Sequence, residues 1–202
     1  PFGDQEYISK YGIKIIDTYP AFSHVDVSSI NHYEREHMVV SHNKMTLSDY
    51  KECTIYRWMF MFGHYLGTTQ FIARFINQHL NVSYSYFYME FMKHMNANKS
   101  NFFLQNQLIK TKDALEDIFK AQAPWGRVVE TVRENFAWDF EEATVIEIMK
   151  NKNNFFQEIR DFLNINFELS PEIINDLINY QNLAVLDPQI TYPIIIVIYY
   201  IK

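Results

Sequence analysis

Residues 46–95 read TLSDYKECTIYRWMFMFGHYLGTTQFIARFINQHLNVSYSYFYMEFMKHM, and this stretch decides the fold. Thr46, Leu47, Ser48 and Asp49 match a capping box: a hydroxyl for the first free amides and a carboxylate at the positive helix end. Apolar residues then recur at Ile55, Met59, Phe62 and Leu66 and, past Gly67, at Phe71, Ile72, Phe75 and Ile76. That spacing predicts a helix with a wide buried face. Asn81, Val82 and Ser83 interrupt the pattern, and Ser83 is placed to cap a second helix over 84–95. Gly63 and Gly67 form GxxxG, read here as a close backbone approach or a kink rather than a membrane pairing motif. The apolar block WMFMFGHYLG at 58–67 falls well short of the roughly 20 residues a membrane helix needs. Arg57 and Arg74 flank it, so no membrane span is expected.

Outward from this block the text changes. Residues 1–45 contain short β-branched runs, IKIID at 13–17 and HMVVSH at 37–42, separated by polar, turn-rich sequence. Met38 to Ser41 predicts a strand, and 20–32 a loop. On the other side, a third helix is expected over 102–122. Leu104, Leu108, Leu115, Ile118 and Phe119 would face inward, and Pro124, Trp125 and Gly126 would end it. Short helices are expected over 127–135, 140–150 and 153–163. Ser170 and Pro171 signal the start of another, with Ile173, Ile174, Leu177 and Ile178 along one side. The run at 193–201 reads as a strand. The expected architecture is mainly α: a short α/β segment over 1–45 followed by a helical domain over 46–202.

Composition narrows the function classes. Two hundred and two residues suffice for one fair-sized core or two small ones. A net charge of −6 with scattered basic residues offers no stripe to neutralise phosphates, so no nucleic-acid partner is expected. The abundance of Phe, Tyr, Ile and Asn fits an A/T-rich genome as readily as any function. Cys53 is the only cysteine, which excludes an internal disulfide and a cluster ligated by this chain's own thiolates. It reads as a buried free thiol in a reducing, cytoplasmic setting. Both ends read as cuts through a longer protein.

Few constellations promise chemistry. Glu34 and His37 make one ExxH, but a di-iron bundle needs two, and this copy precedes a strand. Glu90 and His94 share a helix face without a second pair. Glu141 and Glu142 are adjacent and so do not face each other; they suit a helix start. No phosphate-binding glycine loop and no nucleophile elbow is present. No metal site is expected. Trp125 and Arg127 flank Gly126, and an aromatic beside a guanidinium can grip a planar or anionic ligand. The bland alternative is a Trp that plugs the core with Arg on the surface.

Several segments, taken in order, carry a family resemblance. They are DQEY at 4–7, KYGI at 10–13, EHMVVS at 36–41, MTLSDY at 45–50, WMFMFGHYLG at 58–67, VSY at 82–84, FY at 87–88, PWGR at 124–127 and WDFEEA at 138–143. Together they resemble the C-terminal part of cobalamin-binding-domain-containing radical S-adenosylmethionine proteins. The resemblance implies that residues 1–45 are the end of a barrel and 46–202 an accessory helical domain. It implies a full-length protein with a four-iron (4Fe-4S) cluster, S-adenosylmethionine and cobalamin, none of them bound by this chain. The expected partners are the N-terminal barrel and cobalamin domain of the same protein, and an unknown substrate. The family's CxxxCxxC is absent, so no cluster ligand carries over. Barrel enzymes build sites at the C-terminal ends of strands, so the resemblance places His42 and Asn43 on the substrate side. Trp125 and Arg127 join them as substrate-side candidates. A stand-alone helical interaction module, docking a peptide on aromatics between Tyr84 and Tyr88, is the alternative. A small-molecule sensor with an aromatic pocket is a third.

Overall fold

The helix expected from Thr46 forms with both halves of its capping box. Thr46 Oγ1 accepts from the Asp49 amide at 3.1 Å, and Asp49 Oδ2 accepts from the Thr46 amide at 2.8 Å. The structure is a computed structural model that describes residues 3–19, 25–26, 35–97, 102–120, 123–129 and 135–185. It is mainly helical, as the sequence predicts.

Helix α1 (Gln5–Tyr11) leads into β1 (Lys14–Thr18), which pairs antiparallel with β3 (Glu36–Ser41). The strand expected at Met38 therefore starts earlier, at Glu36. Within the expected loop over 20–32, Val25–Asp26 forms β2 and pairs with a strand far along the chain. Helix α2 spans Leu47–Phe60. The periodic pattern beyond it does not continue as one helix. A π turn, Met61–Tyr65, and a break over 66–69 precede α3 (Gln70–Leu80). Each glycine of the GxxxG has its own part in this break. A Cβ on Gly63 would lie 3.1 Å from both Thr69 Oγ1 and the Tyr88 ring, so Gly63 marks a close approach. Gly67 sits at φ +84, where a side chain would be strained, so it makes the bend.

Helix α4 spans Tyr84–Asn96, and Ser83 Oγ accepts from the Tyr86 amide at 3.2 Å. Helix α5 (Phe103–Phe119) buries Leu104, Leu108, Leu115 and Ile118 as its spacing predicts. It ends at Phe119, earlier than Pro124. The helix expected over 127–135 is not present at its described residues. Arg127–Val128 is instead β4, paired with β5 (Phe136–Trp138), whose other edge takes β2. Gly126 explains the difference. Its φ of +109 turns the chain, and a Cβ there would come within 2.1 Å of the Trp138 carbonyl oxygen. The backbone thus enters an extended pair at close quarters, and β-branched Val128 suits it. Helices α6 (Phe140–Lys150), α7 (Lys152–Asn166) and α8 (Pro171–Ala184) complete the body. Ser170 caps α8, with Pro171 in its first turn as expected. The run at 193–201 lies outside the described residues.

Helix α4 is central, packing on α2, α3, α5 and α7. Phe87, Phe91 and Phe162 bring their rings together across α4 and α7, with Phe162 at 5.3 Å from Phe87 and 5.2 Å from Phe91. All three are buried, each contributing about 1.5–3 kcal/mol on transfer from water. One expectation fails on this helical body: Cys53 is exposed on α2, not buried. Its neighbour Thr54 turns inward instead, donating to the Tyr50 carbonyl at 2.9 Å. Among the described residues, no helix is long and apolar enough to cross a membrane.

Candidate functional site

His42 and Asn43 occupy one exposed turn after β3. The His42 amide donates to Met45 O at 2.9 Å and the Met45 amide returns to His42 O at 3.0 Å. His42 Nδ1 accepts from the Lys44 amide at 3.2 Å. Asn43 ties this turn to the end of α1, donating through its amide to Tyr11 O at 2.9 Å and through Nδ2 to Lys10 O at 3.2 Å. Gly12, at φ +61, leaves room for the Asn43 side chain, because a Cβ there would meet Oδ1 at 2.0 Å. Much of Asn43's hydrogen bonding thus shapes the turn, while His42 stays exposed beside it.

Trp125 and Arg127 lie inside the protein. Trp125 packs edge-on against Phe140 at 5.4 Å. Arg127 is buried, which corrects the bland expectation of a surface arginine. Its Nη2 donates to Gln107 Oε1 at 2.5 Å and to Thr144 Oγ1 at 3.0 Å. Thr144 Oγ1 in turn donates to Phe140 O at 2.8 Å and accepts from Trp58 Nε1 at 2.9 Å. One hydroxyl thus joins α2, β4 and α6. Burial pushes the Arg127 guanidinium down to about 10, against the favourable charge of Glu147. It remains a cation at neutral pH, held by neutral partners. This arrangement organises the interior and does not present a grip to solvent.

The other sequence candidates separate. Glu34 lies outside the described residues, and His37 reaches across the β1–β3 pair to Asp17, Nδ1 to Oδ1 at 2.6 Å. Glu90 pairs with Lys93 at 2.6 Å, while His94 is buried against Phe162. Glu141 is buried and faces Arg57 at 3.4 Å; burial raises its pKa above the usual carboxylate value. Among the described residues, no group of three His, Cys, Asp or Glu side chains is arranged to hold a metal. The single cysteine does not fit an iron–sulfur cluster ligated by this chain.

A cluster that the sequence reading missed sits on the π turn. His64 stacks on Phe60 at 5.1 Å and meets the edge of Tyr84 at 5.2 Å. Its Nδ1 lies 3.1 Å from the Tyr88 hydroxyl, which also lies 3.2 Å from Thr69 Oγ1. Burial, and the charge of Arg74, hold His64 below its ordinary value. Burial pushes the Tyr88 phenol well above its ordinary range, so it keeps its proton. Single-turn π segments occur frequently at functional sites. The GxxxG around His64 was the available signal, since a polar ring inside a glycine-marked break needs partners.

A cleft of about 370 Å³ opens between α2, α4 and α5, with Ile55, Met92 and Leu115 in its lining and the Lys51–Glu116 ion pair at its side. Tyr56 is its one aromatic lining residue, which does not make an aromatic pocket. No protein-family model matches the sequence, and no curated protein matches it.

Proposed function

We propose that this chain is the C-terminal accessory part of a cobalamin-dependent radical S-adenosylmethionine enzyme of the cytoplasm. Residues 1–45 would end the barrel, and 46–202 would cover or flank its mouth and shape substrate access. Methyl transfer to an unreactive carbon is the reaction class this reading favours. One observation supports it best. Segments that carry the resemblance lie far apart in sequence yet meet at one hydroxyl: Trp58, Arg127 and Phe140 all bond to Thr144. In this reading the convergence fits segments that belong together in one fold. In such an enzyme the cofactors supply the radical and the methyl group, and the protein positions them and excludes water. The β1–β3 pair is antiparallel, so in this reading it sits at the margin of the parallel barrel rather than within its wall.

The test is the reading frame upstream of Pro1. A frame encoding CxxxCxxC, whose full-length product cleaves S-adenosylmethionine after anaerobic reconstitution, is the expected result. Removing residues 46–202 from that product should then abolish substrate turnover while sparing cofactor cleavage. In the same enzyme, His42→Ala and Asn43→Ala with unchanged turnover would remove those two residues from the substrate side. A start codon immediately before Pro1 would instead favour a stand-alone interaction module. Of the aromatics that reading named between 84 and 88, Phe87 and Tyr88 are buried, but exposed Tyr84 and Tyr86, with Phe60 and Tyr65 on α2 and the π turn, favour that second reading.

A further inference from the structure

The hydrogen-bond chain on the π turn is fully satisfied in one direction only. Thr69 is buried, and among the described residues Tyr88 is the side-chain partner of its hydroxyl. Tyr88 has one proton and two neighbours, Thr69 Oγ1 and His64 Nδ1. While His64 is neutral, Tyr88 donates to Nδ1 and accepts from Thr69, so both hydroxyl protons are used. The ring proton of His64 then sits on Nε2. If His64 takes a second proton, Nδ1–H must donate to Tyr88 and Nδ1 no longer accepts. Either the Thr69 or the Tyr88 hydroxyl proton is then left without an acceptor, and both hydroxyls are buried, which is costly. Gly63 hems in both groups, since even a Cβ there would lie 3.1 Å from Thr69 Oγ1 and the Tyr88 ring.

These groups also hold the break between α2 and α3. The Thr69 amide donates to Gly63 O at 2.8 Å, and Thr68 Oγ1 donates to Phe62 O at 2.8 Å. From α8, Gln181 donates to Gly67 O at 2.6 Å and accepts from the Phe71 amide at 2.9 Å. We propose that Thr69, Tyr88 and His64 form a pH-sensitive latch, which keeps the α2–α3 break tight while His64 is neutral and slackens it when His64 is protonated. The groups facing His64 favour the neutral state. Phe60 of α2 offers a ring face, Tyr84 and Tyr88 of α4 are phenols, and Arg74 of α3 is a cation that opposes a second positive charge. From α6, which also packs on the π turn, Glu141 pairs with Arg57 instead. Because the folded-state pKa lies below the unfolded one, the latch is intact above about 6.5 and is lost as pH falls towards the lowered value.

The test is an NMR titration of the imidazole rings in the whole chain, with His64 assigned by its absence in His64→Gln. The expected result is a midpoint below that of a free histidine, with Nδ1 unprotonated in the neutral form. Tyr88→Phe removes the donor that favours the neutral ring, so the midpoint should rise by about half a unit to one unit. Below the midpoint, the exchange protection of the Thr68 and Thr69 amides, corrected for intrinsic rates, should fall about tenfold in the wild type and stay constant in His64→Gln. A neutral ring protonated on Nδ1, or protection that does not change with pH, overturns the proposal. Neither measurement uses Tyr88→Phe, so they decide the matter even if that variant fails to fold.

Discussion

Glu158 reaches from α7 to the start of α5, an end with no cap from its own flanking side chain. Its two oxygens accept from the amides of Phe103 at 2.5 Å and Leu104 at 3.0 Å. Glu158→Ala leaves both amides without an acceptor. Each bond to a charged group contributes about 1.5–3 kcal/mol, so with some water returning at half-buried Phe103 the loss should reach about 3–5 kcal/mol. For a chain of this size that corresponds to a melting point about 6–20 °C lower. Glu158→Gln keeps one acceptor and should lose about half as much. Thermal and urea unfolding followed by far-UV circular dichroism measures both. A Glu158→Ala variant within about 1 kcal/mol of the wild type would refute the reasoning. So would a Glu158→Gln variant as damaged as Glu158→Ala. The pH dependence is a second check. Burial outweighs the two amides and raises the Glu158 pKa above its ordinary 4.5. The folded state therefore binds the proton more readily, and this contribution is largest below about 4.5 and lost as pH rises through the raised value. The stability gap between the wild type and Glu158→Gln should narrow across that window.

Gly126→Ala should destabilise by more than about 3 kcal/mol, because the new Cβ would meet the Trp138 carbonyl and φ is positive; chemical denaturation reads this directly. Gln181→Leu removes two bonds that brace the 66–69 break and should cost about 2–3 kcal/mol, with selective loss of exchange protection at the Phe71 amide. Cys53 should react with a thiol reagent in the fully folded protein, and Cys53→Ser should change stability by less than about 0.5 kcal/mol. Slow labelling limited by unfolding would contradict the exposed placement.

Local signals were legible wherever a short stretch of chain settles its own conformation. Thr46, Ser83 and Ser170 each begin the helix their side chains cap, and the inward positions of α5 follow their spacing. What escaped the sequence depends on distant partners. GxxxG signalled a close approach or a kink near 63–67, but helical periodicity runs on through 61–69; the break is braced by Tyr88 and Gln181, and neither is near in sequence. The segment after Gly126 scans as a helix, yet its extended form is fixed by Phe136–Trp138. Arg127 reads as a surface charge because nothing nearby in the chain offers it a partner. Gln107 and Thr144 do so from two other helices. Cys53 misled for the opposite reason: its neighbours Thr54 and Ile55 turn inward one step around the helix, leaving the thiol outside.

The convergence on Thr144 also bears on how the chain reaches its native state. Trp58 and its partners Phe140 and Thr144 are separated by 82 and 86 residues, so the loop between them must close before the contact forms. Closing so long a loop carries an entropic cost that local helix formation does not offset, and such contacts slow folding. Helices α2 to α5 can therefore form early while Trp58 still lacks its acceptors. Productive folding waits for the β4–α6 segment to arrive. A truncated form ending between α5 and β4 would strand the indole nitrogen of Trp58 and expose the aromatic interior. It should collapse without settling into one packed state, whereas the two fragments supplied together should recover the native fold by assembling around that hydroxyl.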